Sequence, residues 1–237
     1  MNIDPKIITV RQNVRWLPAD MDTPISLFLG MAKGGHGILL ESAEIDGRWG
    51  RYSVLACDMA LILACREGRL ECTAADQRFA PLKELDGMAF VDGLREVMRR
   101  IRILPDDSTD ALPPITRALC GYMGYGMAGL FEPKLSRALP PEDAECVLCL
   151  PGTLMLFDHL YNRLAQVSLS GHRAVSGAHT ASCSVQDGSG DVAEAVRSLP
   201  DAAGFLQNVE RIKALLGQGE AIQAVPSVNF SAPFSGD

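Results

Sequence analysis

The feature that most limits the fold is a series of short apolar runs of strand type with few helical patterns among them. Leu61–Cys65 and Arg69–Thr73 flank Arg66-Glu67-Gly68, which is typical of a β-hairpin with glycine in the turn. Further strands are predicted at 38–42, 51–57, 145–150, 153–158, 164–170 and 221–230. Because strands and helices do not alternate regularly, the pattern favours an α+β fold with antiparallel sheets packed with a few helices.

Apolar residues recur at helical spacing in three segments. The strongest is Phe90–Ile103, followed by Pro105; the others are Ser26–Met31 and Phe205–Leu216. From 171 to 190 large apolar residues nearly vanish, as is typical of a linker. We therefore predict three parts: 1–170, a loop or linker at 171–200, and 201–237. One helix and one strand cannot enclose a core, so the last part either completes the first sheet or begins a second domain.

Charge and composition restrict the class of partner. The 237 residues include 29 Asp and Glu against 22 Lys and Arg, a net charge of -7, which argues against a nucleic-acid partner and against an anionic membrane surface. No stretch is long and apolar enough to span a membrane or to form a secretory leader. With no export signal, the seven cysteines are expected to be reduced thiols in the cytoplasm.

Two glycine and cysteine patterns have both a functional and a structural interpretation. The run from Gly124 to Gly129 fits G-x-G-x-x-G, but Pro133 interrupts the long helix that a dinucleotide site requires. We therefore expect these glycines to permit tight turns and close packing. Cys146 and Cys149 form a lone C-x-x-C, and on a strand their side chains point to opposite faces, which does not suit a shared metal.

The adjacent Asp158 and His159 have the residue types of an acid–base pair. Neighbouring side chains diverge on a strand, so we expect polar groups at a strand end instead. From the residues alone, no catalytic constellation and no metal site emerges.

Several stretches together resemble the N-terminal region of anthranilate synthase component I. They occur in that family's order: Ile38–Ser42 with Trp49–Ser53, Leu119–Tyr125, Leu156–His159, Phe205–Lys213, and Gly219–Ser227. The same motifs occur in the sister family, aminodeoxychorismate synthase component I, but the Leu-Glu-Ser form at 40–42 favours the first.

The resemblance implies an activity that this chain would carry only in part. The family converts chorismate to anthranilate and pyruvate with Mg²⁺ and with ammonia from a glutamine amidotransferase subunit (component II), and tryptophan inhibits it as a feedback effector. By this resemblance, 1–170 is the regulatory, tryptophan-binding domain and 201–237 is the truncated start of the chorismate-binding domain. The family's magnesium ligands and catalytic His fall beyond 237, so we expect no catalytic residue, no bound metal and no activity in this chain alone.

The resemblance also implies that Leu40, Glu41 and Ser42 contribute to a tryptophan site. Alternation along a strand puts Leu40 and Ser42 on one face and Glu41 on the other. Leu40 can pack on an indole, and the Ser42 hydroxyl can donate to a carboxylate or accept from an ammonium. Glu41 offers its backbone groups or its carboxylate. The structural alternative is a buried strand that ends at a serine in a turn.

Three functional hypotheses remain open from the sequence. The first is the regulatory half of anthranilate synthase component I. The second is a fragment of aminodeoxychorismate synthase component I, and the third is a stand-alone amino-acid-binding module.

Overall fold

The computed structural model describes residues 7–19, 22–31, 37–41, 50–105, 112–172 and 196–233. The chain divides into two compact units, Met1–Cys183 and Ser184–Asp237. The division falls inside the segment 171–200 that composition marks as a linker.

The first unit is built on a large, mainly antiparallel sheet with short helices. Its elements are β1 (Ile8–Pro18), α1 (Pro24–Met31), β2 (Ile38–Leu40), β3 (Tyr52–Arg66), β4 (Arg69–Ala74), a 3-10 segment (Gln77–Leu85), α2 (Phe90–Arg100), β5 (Ile101–Leu104), β6 (Cys120–Met123), α3 (Ala128–Phe131), β7 (Cys146–Asp158) and β8 (Arg163–Leu169). The strand order is β2-β3-β7-β8-β1-β5, with β4 also paired to β3 and β6 to β7. The predicted α+β class is therefore confirmed.

The hairpin between β3 and β4 forms where the sequence predicts it. Arg66 pairs with Arg69, and the two central residues, Glu67 and Gly68, have φ values of 49° and 73°. Positive φ at both central positions is the backbone of a type I′ turn, whose twist matches that of antiparallel strands. Glycine accepts this conformation without the steric cost that a side chain imposes.

Two pairs of predicted strands are each one continuous strand. β3 joins the predicted strands 51–57 and 61–65 through a bulge between Met59 and Leu61, and β7 joins 145–150 and 153–158 through Pro151. Pro151 pairs with Met59 at the bulge. A bulge is a place where a strand tolerates proline, because regular ladder hydrogen bonds are already interrupted there.

The helical prediction for 90–103 is correct in type and too long. α2 ends at Arg100, because Ile101 adopts an extended backbone (φ -96°, ψ 125°) and Ile101–Leu104 pairs in parallel with β1. This is the one parallel pairing among the described strands. Strand β1, which lies between β8 and β5, was not predicted, although its apolar residues at 8, 10, 14 and 16 follow the alternation of a strand.

Apolar side chains pack on both faces of the sheet. Phe79 and Phe90, from the 3-10 segment and α2, are fully buried against β3, β4 and β7. Leu27 of α1 packs with Leu55 and Phe157 in a second cluster. Val54, Leu154 and Leu156 belong to a third cluster, on the face opposite Leu55.

The second unit contains one helix and two short strands in its described part. β9 (Arg197–Leu199) pairs with β10 (Asn229–Ser231), and between them lies α4 (Ala202–Gly217), which is capped by the Asp201 carboxylate accepting from the Gly204 N–H at 2.8 Å. The helix predicted at 205–216 is confirmed. The strand predicted at 221–230 is wrong over most of its length; Pro226 lies within it and lacks an N–H for a ladder.

Among the described residues, no helix combines the length and the apolar character needed to cross a membrane.

Candidate effector site at the end of the sheet

Leu40 and Glu41 lie at an exposed corner of the first unit. β2 is an edge strand whose Leu39 and Leu40 pair with Leu55 and Val54 of β3. Leu39 packs into the cluster that contains α1, whereas Leu40 is 40% exposed and Glu41 is exposed. Ser42 lies outside the described residues. The corner therefore presents one apolar side chain and one carboxylate to solvent.

The strand register extends the face of Leu40 across the sheet to charged and aromatic residues. Val54, the partner of Leu40, pairs with Leu156 of β7, and two residues further along Tyr52 pairs with Asp158. Asp158 in turn pairs with Arg163 of β8. Directly paired residues in an antiparallel sheet share a face. Leu40, Tyr52, Asp158 and Arg163 therefore project from the same side of the sheet.

Asp158 anchors this group electrostatically. Its side chain is only 4% exposed and accepts two hydrogen bonds from Arg51, Nε to Oδ1 at 3.1 Å and Nη2 to Oδ2 at 3.0 Å. Arg163 Nε lies 3.5 Å from Oδ2. Burial raises the pKa of Asp158, but the hydrogen bonds from Arg51 and the charges of both arginines outweigh it, so that the pKa lies below its ordinary value. Asp158 is therefore an ionised anchor for both arginines.

Aromatic rings surround the two guanidinium groups. Arg51 Cζ lies 4.8 Å from the ring centroid of Tyr52 and 5.1 Å from that of Tyr161. Arg163 Cζ lies 4.6 Å from the Trp16 ring and 4.8 Å from the Tyr161 ring. These distances are within the range of cation–π attraction. We call Trp16, Arg51, Tyr52, Asp158, Tyr161 and Arg163 the arginine–aromatic cluster. It places two guanidinium groups, both paired with Asp158, against three aromatic rings.

Asp158 and His159 do not form an acid–base pair. His159 Nε2 lies 2.8 Å from the Ser53 hydroxyl, on the face opposite Asp158, and its backbone N–H donates to the Arg51 carbonyl. The expectation of divergent polar groups at a strand end is confirmed.

The C-x-x-C cysteines also diverge, as expected. Cys146 pairs with Cys65 across β3 and β7, whereas Cys149 pairs with Cys120 of β6. Burial, and to a lesser degree the negative charge that Cys65 can carry, raises the pKa of the Cys146 thiol to about 11. No grouping of three or more potential His, Cys, Asp or Glu metal ligands occurs in the described part of the chain.

The G-x-G-x-x-G glycines have the packing role that the sequence predicts. A Cβ at Gly129 would lie 2.0 Å from the Leu139 carbonyl oxygen, and one at Gly124 would lie 3.1 Å from the Glu145 carbonyl oxygen. α3, which begins beside these glycines, spans only four residues. A dinucleotide fingerprint requires a long helix at this point.

The comparison with known proteins decides the family. The sequence model described as chorismate binding enzyme matches residues 65–237, more than half of the chain. The chain belongs to the chorismate-binding enzyme family.

Several curated relatives of this chain share one name. Anthranilate synthase component 1 of Acinetobacter calcoaceticus is 26% identical over 235 residues, covering 92% of this chain and 46% of the relative. The protein of the same name in Cereibacter sphaeroides is 30% identical over 243 residues, covering 92% and 47%. That of Arthrobacter globiformis is 34% identical over 139 residues, covering 58% and 24%. The resemblance found in the sequence is confirmed, and the chain spans about half the length of the relatives that it matches most fully.

The sequence patterns alone did not reveal the arginine–aromatic cluster. Its members come from 16, 51–52 and 158–163, and strand pairing alone brings them together. The sequence did contain an indication of the cluster. Arg51 and Tyr52 stand at the start of one strand, Tyr161 lies in the turn between two strands, and Arg163 begins the strand after that turn. Charged and aromatic residues at the ends of several strands of one sheet indicate that their side chains can meet at that end of the sheet.

Proposed function

We propose that this chain is the N-terminal, regulatory part of anthranilate synthase component I, and that it carries one side of a tryptophan feedback site. The observation that supports this most is the exposed Leu40–Glu41 corner on the same sheet edge as the arginine–aromatic cluster, in a chain whose relatives are anthranilate synthases. Leu40 provides an apolar contact for an indole, and Ser42 provides a hydroxyl for the amino acid's carboxylate or ammonium. Arg51 supplies positive charge close to this corner.

The second unit supports the proposal that a further domain completes the site. No residue of α4 is buried. Leu199, Leu206 and Phe230 are 78%, 65% and 65% exposed. Apolar surface of this kind requires a covering partner. We propose that the partner is the further part of the chorismate-binding region, in the half of the relatives that this chain does not cover; the family match already begins at residue 65 of this chain.

Catalysis, in this proposal, takes place outside the described residues. By analogy with the family, we propose that the part of the relatives beyond this chain holds the Mg²⁺. The glutamine amidotransferase subunit that would supply ammonia is likewise proposed as a partner of the assembled enzyme. The six described cysteines are free thiols, which agrees with the proposed cytoplasmic location.

Calorimetry with tryptophan tests the proposal. We expect weak or unmeasurable binding by this chain alone, because each loss of about 1.4 kcal/mol weakens binding tenfold and a half-site lacks several contacts. Adding the chorismate-binding half of a relative in trans should restore affinity, and Ser42→Ala should then reduce it. A matched control is Ser136→Ala, which lies between α3 and β7 and should leave affinity unchanged.

The outcomes separate the three hypotheses. Tight tryptophan binding by this chain alone would favour a stand-alone amino-acid-binding module. Linkage of the gene to folate genes rather than to tryptophan genes would favour the sister family. Chorismate consumption by this chain alone, with Mg²⁺ and ammonia, would contradict the assignment as a regulatory part.

A further inference from the structure

A histidine at the end of β8 lies between two carboxylates. His172 Nδ1 is 2.6 Å from Asp58 Oδ2, and His172 Nε2 is 3.0 Å from Asp76 Oδ2. The His172 side chain is 14% exposed. Asp58 belongs to β3 and Asp76 directly precedes the 3-10 segment, so three separate parts of the first unit meet at one imidazole ring.

The backbone is shaped to admit this ring. Asp58 lies beside the bulge of β3 with a φ of 55°, a left-handed conformation that is unfavourable for a residue with a side chain. Gly152 of β7 lies below the imidazole, and a Cβ at that position would be 2.2 Å from His172 Nδ1 and 2.7 Å from the Asp58 carbonyl oxygen. The absence of a side chain at residue 152 therefore leaves the space that the His172 ring occupies.

The second carboxylate is itself held in place. Arg78 donates from Nε to both oxygens of Asp76 at 3.0 Å, and the Arg78 backbone N–H donates to Asp76 Oδ1 at 2.9 Å. Arg78 Nη1 also donates to the Ser170 hydroxyl at 3.1 Å. The hydrogen bonds from Arg78 hold the pKa of Asp76 well below its ordinary value. Asp76 is therefore ionised over the neutral pH range.

The charge on His172 follows from the geometry. A neutral imidazole has one N–H, so one ring nitrogen would direct its lone pair at a carboxylate oxygen. Only the imidazolium donates to Asp58 and Asp76 at once. Among the other groups nearby, Arg78 is already bonded to Asp76, and the Cys57 thiol stays neutral because burial raises its pKa to about 11. Burial lowers the pKa of His172, but the two carboxylate hydrogen bonds outweigh it, so the pKa lies above 6.5.

We propose that His172, with a proton on each ring nitrogen, forms a pH-dependent ionic bridge. The bridge connects the turn after β8 to the bulge of β3 and to the turn before the 3-10 segment. Its stabilising effect is complete below the unfolded-state pKa of 6.5 and is lost as the pH rises through the folded-state midpoint. The bridge is therefore strongest in mildly acidic solution and weakens as the pH rises above 6.5.

An NMR titration of the full chain tests the protonation directly. We expect the His172 ring signal, assigned by its loss in His172→Gln, to titrate with a midpoint above 6.5. Asp58→Asn removes one of the two negative charges and should lower that midpoint. A wild-type midpoint at or below 6.5 would overturn the proposal, and so would an unchanged midpoint in Asp58→Asn.

Unfolding in urea at pH 5.5 and pH 9 tests the effect of the bridge on stability. From pH 5.5 to pH 9, the unfolding equilibrium constant of the wild type should rise relative to that of His172→Gln. The expected rise is about tenfold for each pH unit by which the midpoint of His172 in the folded chain exceeds 6.5. Dividing by the constant of the glutamine variant removes the contribution of every other titrating group. Equal pH dependence in the two proteins would show that the charge of His172 does not stabilise the fold. If the glutamine variant does not fold, triple-resonance experiments on the wild type assign the His172 ring signal, and the NMR comparison with Asp58→Asn still decides.

Discussion

Replacing Gly129 with alanine should destabilise the first unit markedly. Gly129 is buried in α3, and an added Cβ would lie 2.0 Å from the Leu139 carbonyl oxygen and 3.0 Å from the Leu139 Cβ. Ordinary carbon–oxygen contacts are about 3.3 Å or longer, so one backbone would have to move by more than about 1 Å. The obstacle is main chain, and the Leu139 N–H is itself bonded to the Leu135 carbonyl at 2.8 Å.

The expected loss follows from these contacts. Overpacking a well-packed site costs about 1–3 kcal/mol, and a rigid backbone obstacle places this site at the upper end or above. The better helix propensity of alanine offsets up to about 1 kcal/mol. We therefore expect Gly129→Ala to lower the free energy of unfolding by about 2–3 kcal/mol. For a protein of this size, that corresponds to a fall in Tm of roughly 5–10 °C.

Urea denaturation followed by circular dichroism measures the effect. Gly217→Ala, at the end of α4, is the control, because its added Cβ meets nothing within 4 Å outside the neighbouring residues of its own helix. That control should be neutral or slightly stabilising. Equal stability of Gly129→Ala and wild type would refute the packing role of this glycine. A loss of the same size in both variants would show that the effect is general to Gly→Ala substitution.

Two other properties should be measurable on the unmodified chain. At pH 8 Cys146 should react with Ellman's reagent only after unfolding, because a thiol with a pKa of about 11 is ionised in only about one molecule in a thousand; rapid labelling of Cys146 in the native chain would contradict its burial. The exposed Leu206 and Phe230 should cause concentration-dependent self-association in light scattering. Leu206→Lys should reduce that association, whereas a wild-type monomer at every concentration would count against an uncovered apolar surface.

Local patterns determine those elements whose stabilising contacts lie close in sequence. The hairpin at Glu67-Gly68 is predictable because its turn needs positive φ, which glycine permits at low cost. α2 and α4 are predictable because their apolar residues recur with the helical period. The family resemblance is equally local, since each motif is a short contiguous stretch. Leu40, Glu41 and Ser42 were singled out on that ground alone.

Tertiary structure decides everything that depends on which strands become neighbours. Arg51 and Asp158 are 107 positions apart, and only the pairing of β3 with β7 brings them within 3.0 Å. His172 meets Asp58 only because a bulge turns that carboxylate and because residue 152 has no side chain. Cross-strand partners leave no periodic trace in either strand, because local sequence encodes which face a side chain takes but not what lies opposite it. The sequence alone therefore determines the hairpin, the helices and the family, whereas the clusters of charged side chains form only when the strands pair into the sheet.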